Sequence, residues 1–148
     1  TIDIDDNVAD LTTKLTQAAI ALLAEYLPKI EGLTHKPQNE TLATHTPSFK
    51  SRTRQNAFIP WEELLDAQNG QHAGQTHALI RSNNPEPGAW TKVPVTSKQN
   101  SKISEIELKI ITTKLDSESC RLILEIVQLP GKKPISWSKF IEGHQVSS

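Results

Sequence analysis

The chain of 148 residues is long enough for about one domain with a modest core, and its 36% hydrophobic and 22% charged residues are typical of a globular protein rather than a disordered or fibrous one. The net charge of −1 is unevenly distributed, because residues 1–40 carry three basic and seven acidic side chains, whereas residues 41–148 carry thirteen basic and ten acidic ones. This small excess of basic residues in the second segment is far below that of a protein that binds duplex DNA by itself. No apolar run reaches the roughly 18 residues of a membrane span, and no basic segment followed by an apolar block opens the chain, so we expect a cytoplasmic protein with neither a membrane nor a DNA partner.

The clearest periodic pattern lies at residues 8–30, where apolar side chains recur at steps of three and four residues. This spacing predicts an amphipathic helix whose apolar stripe requires a partner. Asp6 or Asn7 is expected to cap its start, and Gly32 to end it in the left-handed conformation. The polar, Pro-bearing stretch 34–60 then predicts an extended linker, with a domain boundary where it begins.

Two short helices are predicted after the linker. The first begins at Trp61, and Asn69-Gly70 with Gly74 interrupts the helical pattern before it resumes. The Asn, Pro and Gly residues of 83–88 form a turn that ends the second helix.

Strands follow this turn. Residues 89–95 predict a strand near a sheet edge, because Pro94 cannot donate to a ladder, and 105–110 alternates with the period of a half-buried strand. A hairpin turn at 116–118 leads to a strand at 120–129. Leu122, Leu124 and Ile126 are expected to share one face of that strand, while Ile123 and Val127 make its other face partly apolar, so we expect the sheet to be covered on that side.

No arrangement of side chains suited to catalysis, cofactor binding or metal binding stands out. There is no Gly-rich phosphate loop and no histidine pair at helical metal-site spacing, and the adjacent Glu62 and Glu63 point about 100° apart on a helix and cannot cooperate as acid and base. The single Cys120 fits a reducing compartment and is expected to be a small core residue. All five histidines are expected to be solvated: His35, His45, His72, His77 and His144.

Basic residues gather instead in predicted loops. Flexible cations at loop tips suit contacts with nucleic-acid phosphates, although such residues can also serve only to keep loops soluble. The candidates are Lys50, Arg52 and Arg54 in the linker, Lys98 and Lys102 between two strands, and Lys132 and Lys133 after the last long strand.

The three tryptophans, Trp61, Trp90 and Trp137, also admit two interpretations. Aromatic faces can stack on bases, but each tryptophan stands at the start of an element, where one large side chain pins a junction against the core. We favour packing. Trp137 opens a final short helix, for which Ser136 is the expected cap.

Several blocks of the sequence resemble the region of the methionyl-tRNA formyltransferases that lies downstream of their catalytic core. The most specific block runs from Ile80-Arg81 through Asn84-Pro85 to Pro87-Gly88-Ala89-Trp90-Thr91 and is similar to the family's Ile-Arg-Ala-x-Asn-Pro-x-Pro-Gly-Ala-Trp-Thr. The other blocks are Pro37-Gln38 with Ala43-Thr44, Ile59 with Trp61, Leu108-Lys109-Ile110, and Gln128 through Ser136 with Phe140 and Gly143.

The resemblance implies a fold and a domain plan. Residues 1–33 correspond to the closing helix of a Rossmann-like formyltransferase domain, 34–60 to a linker, and 61–148 to an OB-like C-terminal domain. The expected class is mainly β with helices (α+β), with a reduced OB-like β-barrel, because the chain after Lys109 is shorter than the family pattern. Two family positions differ: Pro60 replaces an Asp, and Ser48 replaces a linker Lys whose role would pass to nearby cations.

The resemblance also implies a role. The family transfers formyl from the co-substrate 10-formyltetrahydrofolate to the amino group of initiator methionyl-tRNA, with catalytic residues upstream, and its C-terminal domain helps to hold the tRNA. The expected partners are therefore initiator methionyl-tRNA and the upstream catalytic domain, in a monomeric parent enzyme. Arg81 joins the loop cations as a candidate tRNA-binding residue. The alternative is a structural or oligomerisation domain of a related formyltransferase that acts on another amine.

Overall fold

A computed structural model describes residues 1–34, 36, 37, 39–42, 53–96, 103–116 and 118–146. These residues form a mixed α+β protein in which an antiparallel sheet curls into a half-barrel. Its elements are α1 (Val8–Tyr26), α2 (Trp61–Gln68), α3 (Ala73–Asn83), β1 (Trp90–Thr96), β2 (Ile103–Leu115), β3 (Leu122–Gln128), β4 (Ile135–Ser136), α4 (Trp137–Gly143) and β5 (Gln145–Val146). In this described part of the chain, no helix is both long enough and apolar enough to cross a membrane.

The sheet is built around the long central strand β2, in the order β4-β3-β2-β1-β5. β2 pairs with β1 along its first half and with β3 along its second half, and every neighbouring pair is antiparallel. The predicted hairpin between the last two long strands is confirmed. Pro94 lies in β1, whose other side pairs with β5 only at Val95 and Thr96, so the prediction of a near-edge position is also confirmed.

A double irregularity in the β2–β3 pairing changes which side chains face the core. Ile110 pairs with Val127, Thr112 with Ile126 and Thr113 with Leu124, so one residue on each strand has no partner across the pair. Such bulges reverse the alternation of the side chains beyond them. Val127 is consequently buried with Leu122 and Leu124, whereas Ile126 is 38% exposed, so the prediction that Ile126 shares their face is wrong.

Helices α2, α3 and α4 pack against the strands of the sheet. Large fully buried side chains come from every layer, among them Ile59, Leu64, Ile80, Leu108, Ile110, Val127 and Phe140. Trp61 is buried, and its ring centroid lies 6.2 Å from that of Trp137, which stacks on Phe140 at 5.3 Å. The predicted packing role of these two tryptophans is confirmed, as is the Ser136 cap, whose hydroxyl accepts a hydrogen bond from the Lys139 amide at 3.3 Å.

The N-terminal helix α1 forms as predicted but leaves its apolar stripe uncovered. Asn7 caps it by accepting from the amide of Asp10 at 3.2 Å, and the Asp10 carboxylate accepts from the Asn7 amide at 3.1 Å, which completes a capping box. The helix continues as a 3₁₀ turn over Leu27–Gly32, and Gly32 does not adopt the expected left-handed conformation. No residue of α1 is buried, and Leu23 is 61% exposed.

The burial of two side chains, those of Cys120 and His77, differs from the prediction. Cys120 is exposed rather than in the core, because it lies in the turn before β3, where its φ of 53° is left-handed. His77 is buried rather than solvated, because it shares the core-facing side of α3 with Ala73, Thr76 and Ile80.

Candidate nucleic-acid interface

The face of the sheet that points away from the core is polar and partly basic. Alternation along the strands sends Val93 and Leu108 into the core, and sends their neighbours outward. The register then places Trp90, Lys109 and Gln128 side by side across β1, β2 and β3. We call this surface the outer face.

Arg54, a candidate from the sequence, is held on the outer face. Its guanidinium carbon lies 4.7 Å from the centroid of the Trp90 ring, and the guanidinium forms an ion pair with Glu107 of β2. The Trp90 indole in turn donates a hydrogen bond to the Arg54 carbonyl at 2.7 Å. An exposed cation–π contact contributes about 0.5–1 kcal/mol, so these contacts order the guanidinium while leaving its side chain 60% exposed. Trp90 therefore packs beneath Arg54 and against Phe58, at 4.7 Å between ring centroids, rather than against the core.

The turn that carries Lys132 and Lys133 is braced from the same face. Gln128 donates through Nε2 to the Lys132 carbonyl at 2.7 Å, and the Lys132 amide donates to the Leu129 carbonyl at 3.0 Å. Gly131 takes the left-handed φ of 69° that this tight turn requires. Both lysine side chains are exposed on a turn whose backbone is fixed.

A cavity of about 220 Å³ joins these two groups of cations. Its lining consists of Arg54, Glu107, Lys109, Gln128, Leu129, Pro130 and Gly131. The structure thus brings Arg54 and the turn of Lys132 and Lys133 to one place. Four other candidates, Lys50, Arg52, Lys98 and Lys102, lie outside the described residues.

The remaining candidate, Arg81, has a different environment. Its half-buried guanidinium donates to the backbone carbonyl of Asp6, which ties α3 to the segment before α1. Beside it, the buried His77 has Nδ1 2.8 Å from the hydroxyl of Thr113 and Nε2 3.5 Å from the carboxylate of Asp5. Burial, followed by the charge of Arg81, lowers the pKa of His77 below its usual value of 6.5.

The loop between α3 and β1 is clamped to β2 by one buried side chain. Asn84 donates through Nδ2 to the carbonyls of Ile110 and Ile111, both at 3.0 Å, and accepts through Oδ1 from the amide of Ala89 at 3.2 Å. These three bonds hold the start of β1 against the middle of β2. These hydrogen bonds give a structural reason for the asparagine at position 84 in the most specific sequence block.

Comparison with known proteins points to one family. The methionyl-tRNA formyltransferase of Bacillus velezensis is 30% identical over 160 residues, which cover 98% of this chain and 47% of that protein. The chain resembles the methionyl-tRNA formyltransferases. The enzymes of Bacillus pumilus and Nitrosospira multiformis are each 29% identical, over 98% and 99% of this chain and 47% and 48% of their own length.

These matches confirm the resemblance that the sequence blocks indicated. The chain spans about half the length of the curated methionyl-tRNA formyltransferases that it matches, and the match is a C-terminal one. No family model matches the chain. Within the described residues, no cluster of three or more His, Cys, Asp or Glu side chains is arranged to hold a metal ion.

Proposed function

We propose that this chain is the C-terminal, tRNA-holding part of a methionyl-tRNA formyltransferase. In this proposal residues 1–33 close the Rossmann-like catalytic domain, 34–60 form the linker, and 61–148 form an OB-like barrel, all in a cytoplasmic enzyme. The observation that carries it is the outer face, where Arg54, Lys109 and the turn of Lys132 and Lys133 meet around one cavity. The similarity to methionyl-tRNA formyltransferases over nearly the whole chain supports the same assignment.

The role of this segment is to position the tRNA rather than to carry out the reaction. In the parent enzyme the free amino group of initiator methionyl-tRNA attacks the formyl group of 10-formyltetrahydrofolate, which requires a base and an oxyanion site. We assign both, together with folate binding, to the upstream domain. The cations of this segment neutralise phosphates of the tRNA and fix its register, because phosphate contacts position a nucleic acid without reading its sequence.

The uncovered stripe of α1 supports the domain assignment. The side chains of Leu15, Leu22 and Leu23 are 61%, 57% and 61% exposed. Exposed apolar stripes of this kind usually mark an interface. The relatives are about twice as long as this chain, so the occupant we assign is the remainder of the catalytic domain.

Replacement of Lys132 and Lys133 by Ala tests the proposal. Each lost phosphate contact reduces the slope of log K against log salt concentration by about 1, so we expect the slope for initiator tRNA to fall by about 2. The matched control replaces Lys114 and Lys139, which are exposed lysines that do not line this cavity. Equal slopes for the two double variants would refute the assignment of this turn.

The alternative is a structural or oligomerisation domain of a related formyltransferase acting on another amine. The exposed stripe of α1 is the observation that favours it, since a second copy could also cover that stripe. A chain that forms a stable dimer and binds no tRNA at low salt would support this alternative.

A further inference from the structure

The side chain of Lys109 follows a defined path across the loop between α3 and β1. It leaves β2 on the outer face, passes over Gly88, and its Nζ donates to the carbonyl of Pro85 at 3.2 Å. A methyl group built on Gly88 would overlap the Cε and Nζ atoms of Lys109. Gly88 also has a φ of 89°, which side chains with a Cβ rarely adopt. The glycine therefore both permits the loop conformation and leaves room for the lysine.

This path ends at two cavities. Lys109 lines the cavity of about 220 Å³ that holds Arg54 and the Gly131 turn, and also an adjacent one of about 310 Å³ beside Asn84 and Pro85. Its ammonium has three N–H donors, and the Pro85 carbonyl takes one of them. Among the described residues no acceptor takes the other two, which leaves them for a ligand entering either cavity.

The charges around Lys109 favour an anion there. Glu107 is the one acidic residue lining the smaller cavity, and it forms an ion pair with Arg54. Within the described part of the chain no carboxylate forms an ion pair with Lys109. The exposed Lys132 and Lys133 add positive charge on the turn beside Gly131. The ammonium is thus a positioned cation whose charge is not locally cancelled.

We propose that Lys109 contacts a phosphate of the RNA backbone at this cavity, and that Gly88 acts as the positioning residue for it. The inference rests on the proposed function, since it names one contact of the same surface. Loop position made the other cations visible in the sequence, whereas Lys109 lies within a strand. An ammonium on a braced stem suits a phosphate contact that needs charge at a fixed place more than paired hydrogen bonds.

Substitution of Lys109 by Gln in the 148-residue chain tests this contact with initiator tRNA as the probe. Loss of one phosphate contact is expected to weaken binding at low salt by at least about threefold and to reduce the salt slope by about 1. Lys109→Arg keeps the charge and is expected to retain most of the affinity. Lys114→Gln, on the same strand, is the matched control, and thermal unfolding of each variant verifies the fold.

The role of Gly88 is tested by combining Gly88→Ala with Lys109→Gln. If Gly88 acts by seating Lys109, Gly88→Ala weakens tRNA binding in the wild-type background and has no further effect once Lys109 is Gln. An equal loss in both backgrounds would show that Gly88 acts through the fold alone.

The outcomes separate this inference from the proposed function. Wild-type affinity and salt slope in Lys109→Gln, together with a loss in the Lys132 and Lys133 double variant, would overturn the Lys109 contact and leave the tRNA-holding role standing. A wild-type chain that binds no tRNA at low salt would overturn both.

Discussion

The clamp formed by Asn84 makes a quantitative prediction about stability. Asn84→Ala removes three hydrogen bonds, two to the carbonyls of Ile110 and Ile111 and one from the amide of Ala89, at a side chain that is 6% exposed. A net contribution of about 1 kcal/mol per hydrogen bond gives a loss of about 3 kcal/mol in the free energy of unfolding. Such a loss is a large fraction of the 5–15 kcal/mol that typical domains possess.

Urea denaturation of Asn84→Ala and Asn83→Ala measures this loss against a matched control. Asn83 is the preceding residue and is 5% exposed, but its side chain donates to the carbonyl of Leu79 within its own helix, at 2.9 Å. We expect Asn83→Ala to cost about 1 kcal/mol or less. Equal losses for the two variants would refute the view that the clamp holds β1 against β2.

Two further predictions concern side chains whose environments differ from the sequence expectation. The lowered pKa of His77 means that the unfolded chain binds a proton more readily than the folded one. The free energy of unfolding should therefore decrease as pH falls below 6.5 and level off below the folded-state pKa. Urea titrations at several pH values should show this decrease and His77→Gln should abolish it, whereas a decrease unchanged in that variant would contradict the role of His77. Exposed Cys120 should react with a thiol reagent in the native protein without prior unfolding, and protection until unfolding would contradict its position.

Much of the fold follows from local patterns. The three- and four-residue spacing before residue 30, the Asn-Gly interruption at Asn69, and the period of two in β2 are each carried by neighbours in the chain, and the corresponding elements form. Side-chain direction in β3 could not be obtained in the same way. The paired irregularities that expose Ile126 depend on how two strands match, which is a property of the pair rather than of either sequence.

The candidate site was predicted in part. Arg54 and the turn of Lys132 and Lys133 were recognisable as loop cations, and the structure places them around one cavity. Lys109 is not among the predicted site residues, because its place in an alternating strand indicates only that its side chain faces solvent. The signal that could have found it is the alternation itself, which puts Lys109 on the same side as Trp90 once the strands are paired.

The prediction that His77 is solvated is wrong for a related reason. Its burial follows from the spacing of Ala73, Thr76, His77 and Ile80, which defines one face of α3. The expectation that all five histidines are solvated does not take this spacing into account. Hydrogen bonding to Thr113, 36 residues away, supplies the partner that permits the burial, and no local pattern predicts such a partner.

The measurement that tests the central claim most directly is a titration of the 148-residue chain with initiator methionyl-tRNA and with an elongator tRNA at two salt concentrations. A segment that positions tRNA through phosphate contacts should bind both with similar affinity at low salt and lose affinity steeply as salt rises. Absence of binding at low salt, or binding that salt does not weaken, would contradict the account.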